Sequence, residues 1–297
     1  MTLNAFGISS TLFLILYALL FIFLMFNYAT KRFTLRSRWS LILFHVTLRL
    51  AAQSVGLAFS LIGFKAVSLL IASLVLSAEG YFSLVLCVTR LLISWQRHYL
   101  PEKHSCIIRS PINAIHWILN AGNVLIITGG NFLASGKGDS ASENWNTNTH
   151  LTASKIMRGT GQGICLATAI FLYGCLFFTL RRAHSRNATK EEVQARIVLV
   201  ILAITFPFMM IRGVFGILQG VIDSLNYYYP GIYNSDGFTS DFVVKEAVLT
   251  TMTEWCTCTL LLSTSLLRAT KKESQHTSTD EDDHEEEGAV KSDAEEK

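Results

Sequence analysis

Seven long apolar stretches restrict this chain to one class of fold. They run from about Phe6 to Ala29, Trp39 to Phe64, Ala66 to Trp95, Ile112 to Ala134, Ile156 to Leu180, Ile197 to Gly220 and Phe242 to Leu267. A helix needs about 20 mostly apolar residues to cross the hydrocarbon core of a bilayer, and each stretch is long enough. The expected fold is therefore all-α: a polytopic seven-transmembrane-helix bundle over residues 1–268, followed by a tail, 269–297. The first stretch reads as a retained span. No Lys or Arg precedes it, its apolar run is too long for a secretory signal, and no small-residue cleavage site follows.

The loops set the expected direction. The first holds Lys31, Arg32, Arg36 and Arg38, the third Arg97, Lys103 and Arg109, and the fifth Arg181, Arg182, Arg186, Lys190 and Arg196. The intervening loops are nearly bare, with Lys65 in the second and Lys137 in the fourth. Lys and Arg accumulate on the cytoplasmic side, which puts the N-terminus outside and the C-terminus in the cytosol. Eleven of the 22 acidic residues lie after Arg268, against four lysines. The remaining body holds 21 basic and eleven acidic residues, a net of +10 hidden behind a formal +3. With 51% hydrophobic and only 16% charged residues, an ordinary soluble enzyme is excluded. A nucleic-acid binder is disfavoured, because the basic residues sit in short clusters between apolar runs. The tail from Glu273 is acidic and has no apolar face, so it reads as disordered and cytosolic. Ser274, Thr277, Ser278 and Thr279 ahead of its acidic run suit phosphorylation or a cytosolic partner. The sequon Asn187-Ala188-Thr189 falls in a cytosolic loop and should carry no glycan.

Ionisable side chains at membrane depth are costly, so each marks a candidate site. His45, Arg49 and Gln53 recur every four residues and share one face of the second span. Glu79 lies midway along the third. His116, Asn120 and Asn123 form a stripe on the fourth, Arg158 and Gln162 open the fifth, and Arg212 lies in the outer half of the sixth. Glu254 lies near the middle of the seventh, among threonines. Depth counting places Arg49, Glu79, Asn123 and Glu254 near one level. An unpaired charge there is heavily penalised, so Arg49 should pair with Glu79, or with Glu254 as second choice. The carboxyl group left over is the candidate acid, which makes Glu79 and Glu254 the catalytic candidates. His45, Arg49, Gln53, Asn120, Asn123, Arg158 and Arg212 are the candidate ligand-binding residues. Gly159 and Gly163, and Gly216 and Gly220, have the four-residue spacing of close helix contacts. Pro207 should bend the sixth span.

Several chemistries lack their residues. No Lys stands near the middle of the last span to hold retinal. The third span ends in Thr89-Arg90-Leu91 and the seventh in Leu261 to Arg268, without the receptor signatures expected there. The histidines are too scattered for a zinc hydrolase, and Cys256-x-Cys258 lacks the spacing of a metal knuckle. No phosphate-binding loop, nucleophile elbow or transporter repeat is present, and no cofactor or metal is expected.

The segment Ser77-Ala78-Glu79-Gly80-Tyr81-Phe82-Ser83-Leu84-Val85-Leu86, with the seven-span layout, resembles small fungal integral membrane proteins of uncharacterised function. Some of these occur beside genes for secondary metabolites, including terpenoids. The resemblance implies the handling of a lipophilic intermediate, by an enzyme or its accessory. Small fungal terpene cyclases are similar in span number and intramembrane carboxylates, but no catalytic residue is carried over from them. In an enzyme, Glu79 or Glu254 held neutral by burial would donate a proton, and Tyr81, Phe82, Trp117 and Trp255 would face the resulting cation. A transporter or lipid exporter, with the polar stripe lining a path, is the second reading, and a seven-span receptor is the third. The partners expected are membrane lipid and a lipophilic small molecule. Plasma membrane and endoplasmic reticulum are not distinguished.

Overall fold

The computed structural model describes residues 4–34, 37–99, 112–135, 149–182, 190–227, 229–234 and 237–265. The sequon at Asn187, the polar fourth loop with Trp145, Cys106, Lys103, Arg109 and the acidic tail lie outside the described residues. Six α-helices come first: α1 (Ala5–Ala29), α2 (Trp39–Ile62), α3 (Val67–Tyr99), α4 (Ile112–Ser135), α5 (Thr149–Arg182) and α6 (Lys190–Val221). A last helical run covers residues 240–265. It begins as α7 (Ser240–Glu246), widens into a π turn (Ala247–Met252) and returns to α-helix over 253–265.

Among the described residues the fold is all-α apart from one ribbon of two two-residue strands. Among them, five helices are long and apolar enough to cross a membrane: Ala5–Ala29, Trp39–Ile62, Ser68–Arg97, Thr152–Arg181 and Ala195–Val221. A shorter apolar helix, Ala114–Gly130, accompanies them.

The surface of α1 explains what surrounds the bundle. Ile8, Leu12, Ile15, Leu19 and Ile22 recur at helical spacing and are each more than half exposed. Phe6, Ser10, Phe13, Tyr17 and Leu24 are buried. In water such an apolar stripe would mark an uncovered interface, whereas lipid tails leave it at no cost. The polar residues face inward instead, with His45, Arg49, Arg212 and Glu254 all at most 3% exposed. The chain is thus an integral, multi-pass membrane protein.

Consecutive helices pack side by side, and α3 is central, touching α2, α4, α5 and α6. At one end of α3, Trp95 Nε1 donates to the Ala195 carbonyl (2.8 Å) and Gln96 Nε2 to Thr179 Oγ1 (2.9 Å). These bonds tie α3 to α6 and to α5. The opposite end is capped by the segment after α6. There β1 (Tyr233–Asn234) pairs antiparallel with β2 (Gly237–Phe238). Gly237 takes φ +122°, which only glycine adopts without strain, and so lets the ribbon close. Phe238 packs on Phe6 at 5.1 Å and on Phe242 at 5.4 Å, giving this end its own aromatic core. Lys155 and Asp223 form an ion pair that fastens α5 to the same cap.

One expectation about helix packing needs correction. Among the spaced glycines, Gly163 faces open space, whereas Gly216 borders Gln162 of α5 and Gly220 meets Gly159, whose Cα lies 3.2 Å from a Cβ placed at 220. The other close crossing is Gly122 of α4 against Gly161 of α5: a Cβ on Gly122 would lie 3.2 Å from the Gly161 carbonyl oxygen. Spacing alone did not reveal which glycines face a neighbour. Pro207 lies within α6, which continues as helix on both sides of it.

Candidate functional site

Three successive residues of α3 address three different neighbours, because each step along a helix turns the side chain by about 100°. Glu79 faces α4, Gly80 faces α2 and the last helical run, and Tyr81 faces α6. Around this point the buried charges converge.

Glu254 is the centre. One carboxylate oxygen, Oε2, pairs with Arg49 Nη2, and the other, Oε1, accepts from Arg212 Nε at 2.5 Å. The triad joins α2, α6 and the last helical run, and all three side chains are buried. Gly80 makes room for it. A Cβ at that position would run into Arg49 Nη2, Arg49 Cζ and Glu254 Oε2. The Arg212 guanidinium lies over the Tyr81 ring, 5.5 Å from its centroid. A desolvated cation is favoured against an aromatic face.

Arg49 therefore pairs with Glu254 and not with Glu79, the partner expected first. Depth counting matched all three residues in height and was silent on rotation. Glu79 points the other way and accepts from Asn123 Nδ2 at 2.8 Å. Its second oxygen, Oε1, and Asn123 Oδ1 are buried and have no partner among the described residues.

The other expected residues divide. His45 is fully buried, with Nδ1 2.8 Å from Ser83 Oγ and its ring edge-on to Tyr17. Gln53 is buried one turn beyond Arg49. Arg158 lies near the capped end, its guanidinium 5.8 Å from the Tyr227 ring centroid. Asn120 is not part of the site. It is exposed on the outer face of α4, and Trp117 is 74% exposed beside it. Of the expected stripe on α4, His116 and Asn123 are part-buried and Asn120 is exposed, and Asn123 is the one bonded to Glu79. The proposed aromatic lining likewise loses Trp117 and keeps Tyr81 and Phe82, both buried.

Sequence reading missed the roles of Gly80 and Ser83. A glycine flanked by ionisable and aromatic residues inside a span was the available signal for Gly80. Tyr227 is buried and donates to Glu246 Oε1 at 2.9 Å. Burial, then the charge of Glu246, pushes its phenol well above the usual tyrosine range. Tyr233 donates to the Tyr227 carbonyl and fixes the loop in place.

The donors and acceptors do not balance. Arg49 Nε and Nη1, Arg212 Nη1, the Tyr81 hydroxyl and Gln162 Oε1 are buried and have no partner among the described residues. Arg212 Nη1 and Gln162 Oε1 both border Gly216, each 2.9 Å from the position of a Cβ there. Buried polar groups are nearly always hydrogen-bonded, so a cluster of open ones inside an apolar bundle points to a further component.

A family model described as a domain of unknown function, DUF7702, matches residues 5–270, which takes in all the described helices. No curated protein and no solved structure matches the chain.

Proposed function

We propose that this chain, which belongs to the DUF7702 family, is a seven-span membrane protein that binds a lipophilic small molecule beside its buried charge cluster. In this reading residues 240–265 and α4 also cross the bilayer, the N-terminus lies outside and the acidic tail lies in the cytosol. The observation that carries it is the set of buried guanidinium donors of Arg49 and Arg212, with the Tyr81 hydroxyl and Gln162 Oε1, that have no partner among the described residues. Hydrocarbon offers those groups nothing, and a ligand with a polar head and an apolar body satisfies them.

The same geometry separates the two candidate acids. Glu254 is held between two guanidinium groups and serves as their counter-ion. Among the described residues Glu79 is bonded only to a neutral amide, so it is the residue available for proton transfer in an enzymatic form of the function. The resemblance to fungal proteins associated with terpenoid biosynthesis supplies the class of lipophile: a terpenoid-like intermediate.

Native mass spectrometry of the full chain, purified in a neutral detergent, tests the binding claim. A small lipophilic molecule should leave with the wild-type protein. It should be lost from Gly216→Ala, whose Cβ displaces Arg212 Nη1 and Gln162 Oε1, in protein that remains monodisperse. Wild-type protein without any such molecule, with the triad serving only to lock the helices, contradicts it.

A further inference from the structure

We infer that the outward stripe of α3 formed by Arg90, Ser94 and Arg97, with the adjoining face of α4, is a site for the phosphate group of an anionic phospholipid. It lies apart from the buried charge cluster, since Arg90 is ten residues, about 15 Å, along α3 from Gly80. Spacings of four and three residues put the three side chains on one helix face. All three are exposed, and from Cys87 to Gln96 every residue other than Arg90 and Ser94 is buried. The bonds of Trp95 to α6 and of Gln96 to α5 turn the stripe away from the bundle and fix the helix that carries it. Where α1 shows its surroundings an apolar stripe of Ile and Leu, this end of α3 shows two guanidinium groups and a hydroxyl.

Charge selects an anion. Among the described residues neither arginine makes an ion pair or a hydrogen bond. His116, near the start of α4, lies close enough to Arg90 to feel its charge. An arginine on the outward side of a span is costly unless its stem carries the guanidinium to the head-group layer. Arg97 ends the apolar span of α3, and Arg90 lies about 10 Å before it. Snorkelling brings Arg90 toward that end, so both guanidinium groups can reach the level of Ser94 from either side. Phosphate is the anion of that layer, and guanidinium forks bind its oxygens in pairs. In the orientation proposed above this end lies at the cytosolic leaflet, where anionic lipids concentrate. A lipid source, as against free phosphate, follows from α4. That helix runs from the same end into the bilayer, and its Trp117, Ile118 and Val124 are each at least half exposed, a surface for an acyl chain below the head group.

The test uses the full chain in a neutral detergent, with phosphatidylglycerol, phosphatidylcholine and diacylglycerol of one acyl composition, and inorganic phosphate as the soluble probe. Binding is read by native mass spectrometry and by the thermal midpoint. Phosphatidylglycerol should bind at least about ten-fold more tightly than diacylglycerol, or than phosphatidylcholine, whose choline offsets the phosphate charge. That is the size of effect expected for charge-assisted hydrogen bonds. Inorganic phosphate should leave the midpoint unchanged. Arg90→Gln and Arg97→Gln should each reduce the preference and together erase it, while phosphatidylcholine binding stays the same. Lys31→Gln with Arg32→Gln removes two exposed charges elsewhere at this end and should leave the preference in place. Trp117→Ala should weaken all three lipids without changing their order. Equal affinity for phosphatidylglycerol and phosphatidylcholine, or a preference that survives the double arginine substitution, overturns the inference. So does a preference lost equally in the Lys31/Arg32 variant, which would show a general attraction of the basic end. A midpoint shift by inorganic phosphate as large as that by phosphatidylglycerol also overturns it, in favour of a soluble anion. Should an arginine variant fail to fold, the wild-type series decides.

Discussion

Arg49 and Glu254, 205 positions apart in sequence, are joined by an ion pair in which both side chains are wholly buried. The last helical run is thereby fastened to α2, and through the second oxygen of Glu254 to Arg212 of α6. A membrane bundle gains little from apolar contact between helices, because lipid is equally apolar. Polar contacts of this kind therefore fix which helices meet.

Gly80 is predicted to be intolerant of even one methyl group. A Cβ there overlaps Arg49 and Glu254, so Gly80→Ala has to displace the triad. Overpacking of this kind costs about 1–3 kcal/mol. Gly130→Ala is the control, since its Cβ meets only Val75 Cγ2 at 4.0 Å. Thermal unfolding in detergent should show a clear loss for the first and little change for the second.

Glu79→Gln should leave the fold intact. An amide oxygen accepts the Asn123 Nδ2 bond as a carboxylate does, and among the described residues no cation pairs with Glu79. Folded yield and thermal midpoint near wild type are expected. In an enzymatic form of the function the same variant should be inactive, which metabolite profiling of cells carrying it would reveal. A sharp loss of folded protein would show that Glu79 has a structural partner.

The helices were largely legible in the sequence, and the site only in part. The expected stretch Trp39–Phe64 is observed as Trp39–Ile62, and Ile112–Ala134 as Ile112–Ser135. Hydropathy reports length in the membrane, so α5 and α6, whose first turns are polar, begin seven residues before the apolar stretches at Ile156 and Ile197. The π turn has no hydropathy signal. Composition also identified Arg49, Arg212 and Glu254, because a charge in an apolar run stands out. It failed on pairing, since partners are set by helix rotation and by which helices neighbour each other. Asn120 failed for the same reason. It is exposed although it lies three residues from Asn123, because spacing places both near one face but does not say where the bundle ends on it.

The expected topology predicts that a C-terminal tag is protected in sealed right-side-out vesicles and digested only after permeabilisation. Truncation after Lys272 should leave the purified protein monodisperse, because the acidic tail has no apolar face to bury. Digestion of the tag without permeabilisation would contradict the seven-span orientation. Loss of folded protein on truncation would contradict the dispensable tail.

The most direct measurement is a pair of double-mutant cycles read by thermal unfolding and folded yield: Arg49→Ala with Glu254→Ala, and Arg49→Ala with Glu79→Ala. Removing one member of a buried pair costs roughly 3–5 kcal/mol, and removing both relieves part of that penalty. The Arg49/Glu254 double variant should therefore be markedly more stable than the sum of its single losses, whereas the Arg49/Glu79 variant should be close to additive. Additivity for Arg49/Glu254, or strong coupling for Arg49/Glu79, would show that Glu254 is not the carboxylate at the centre of the bundle.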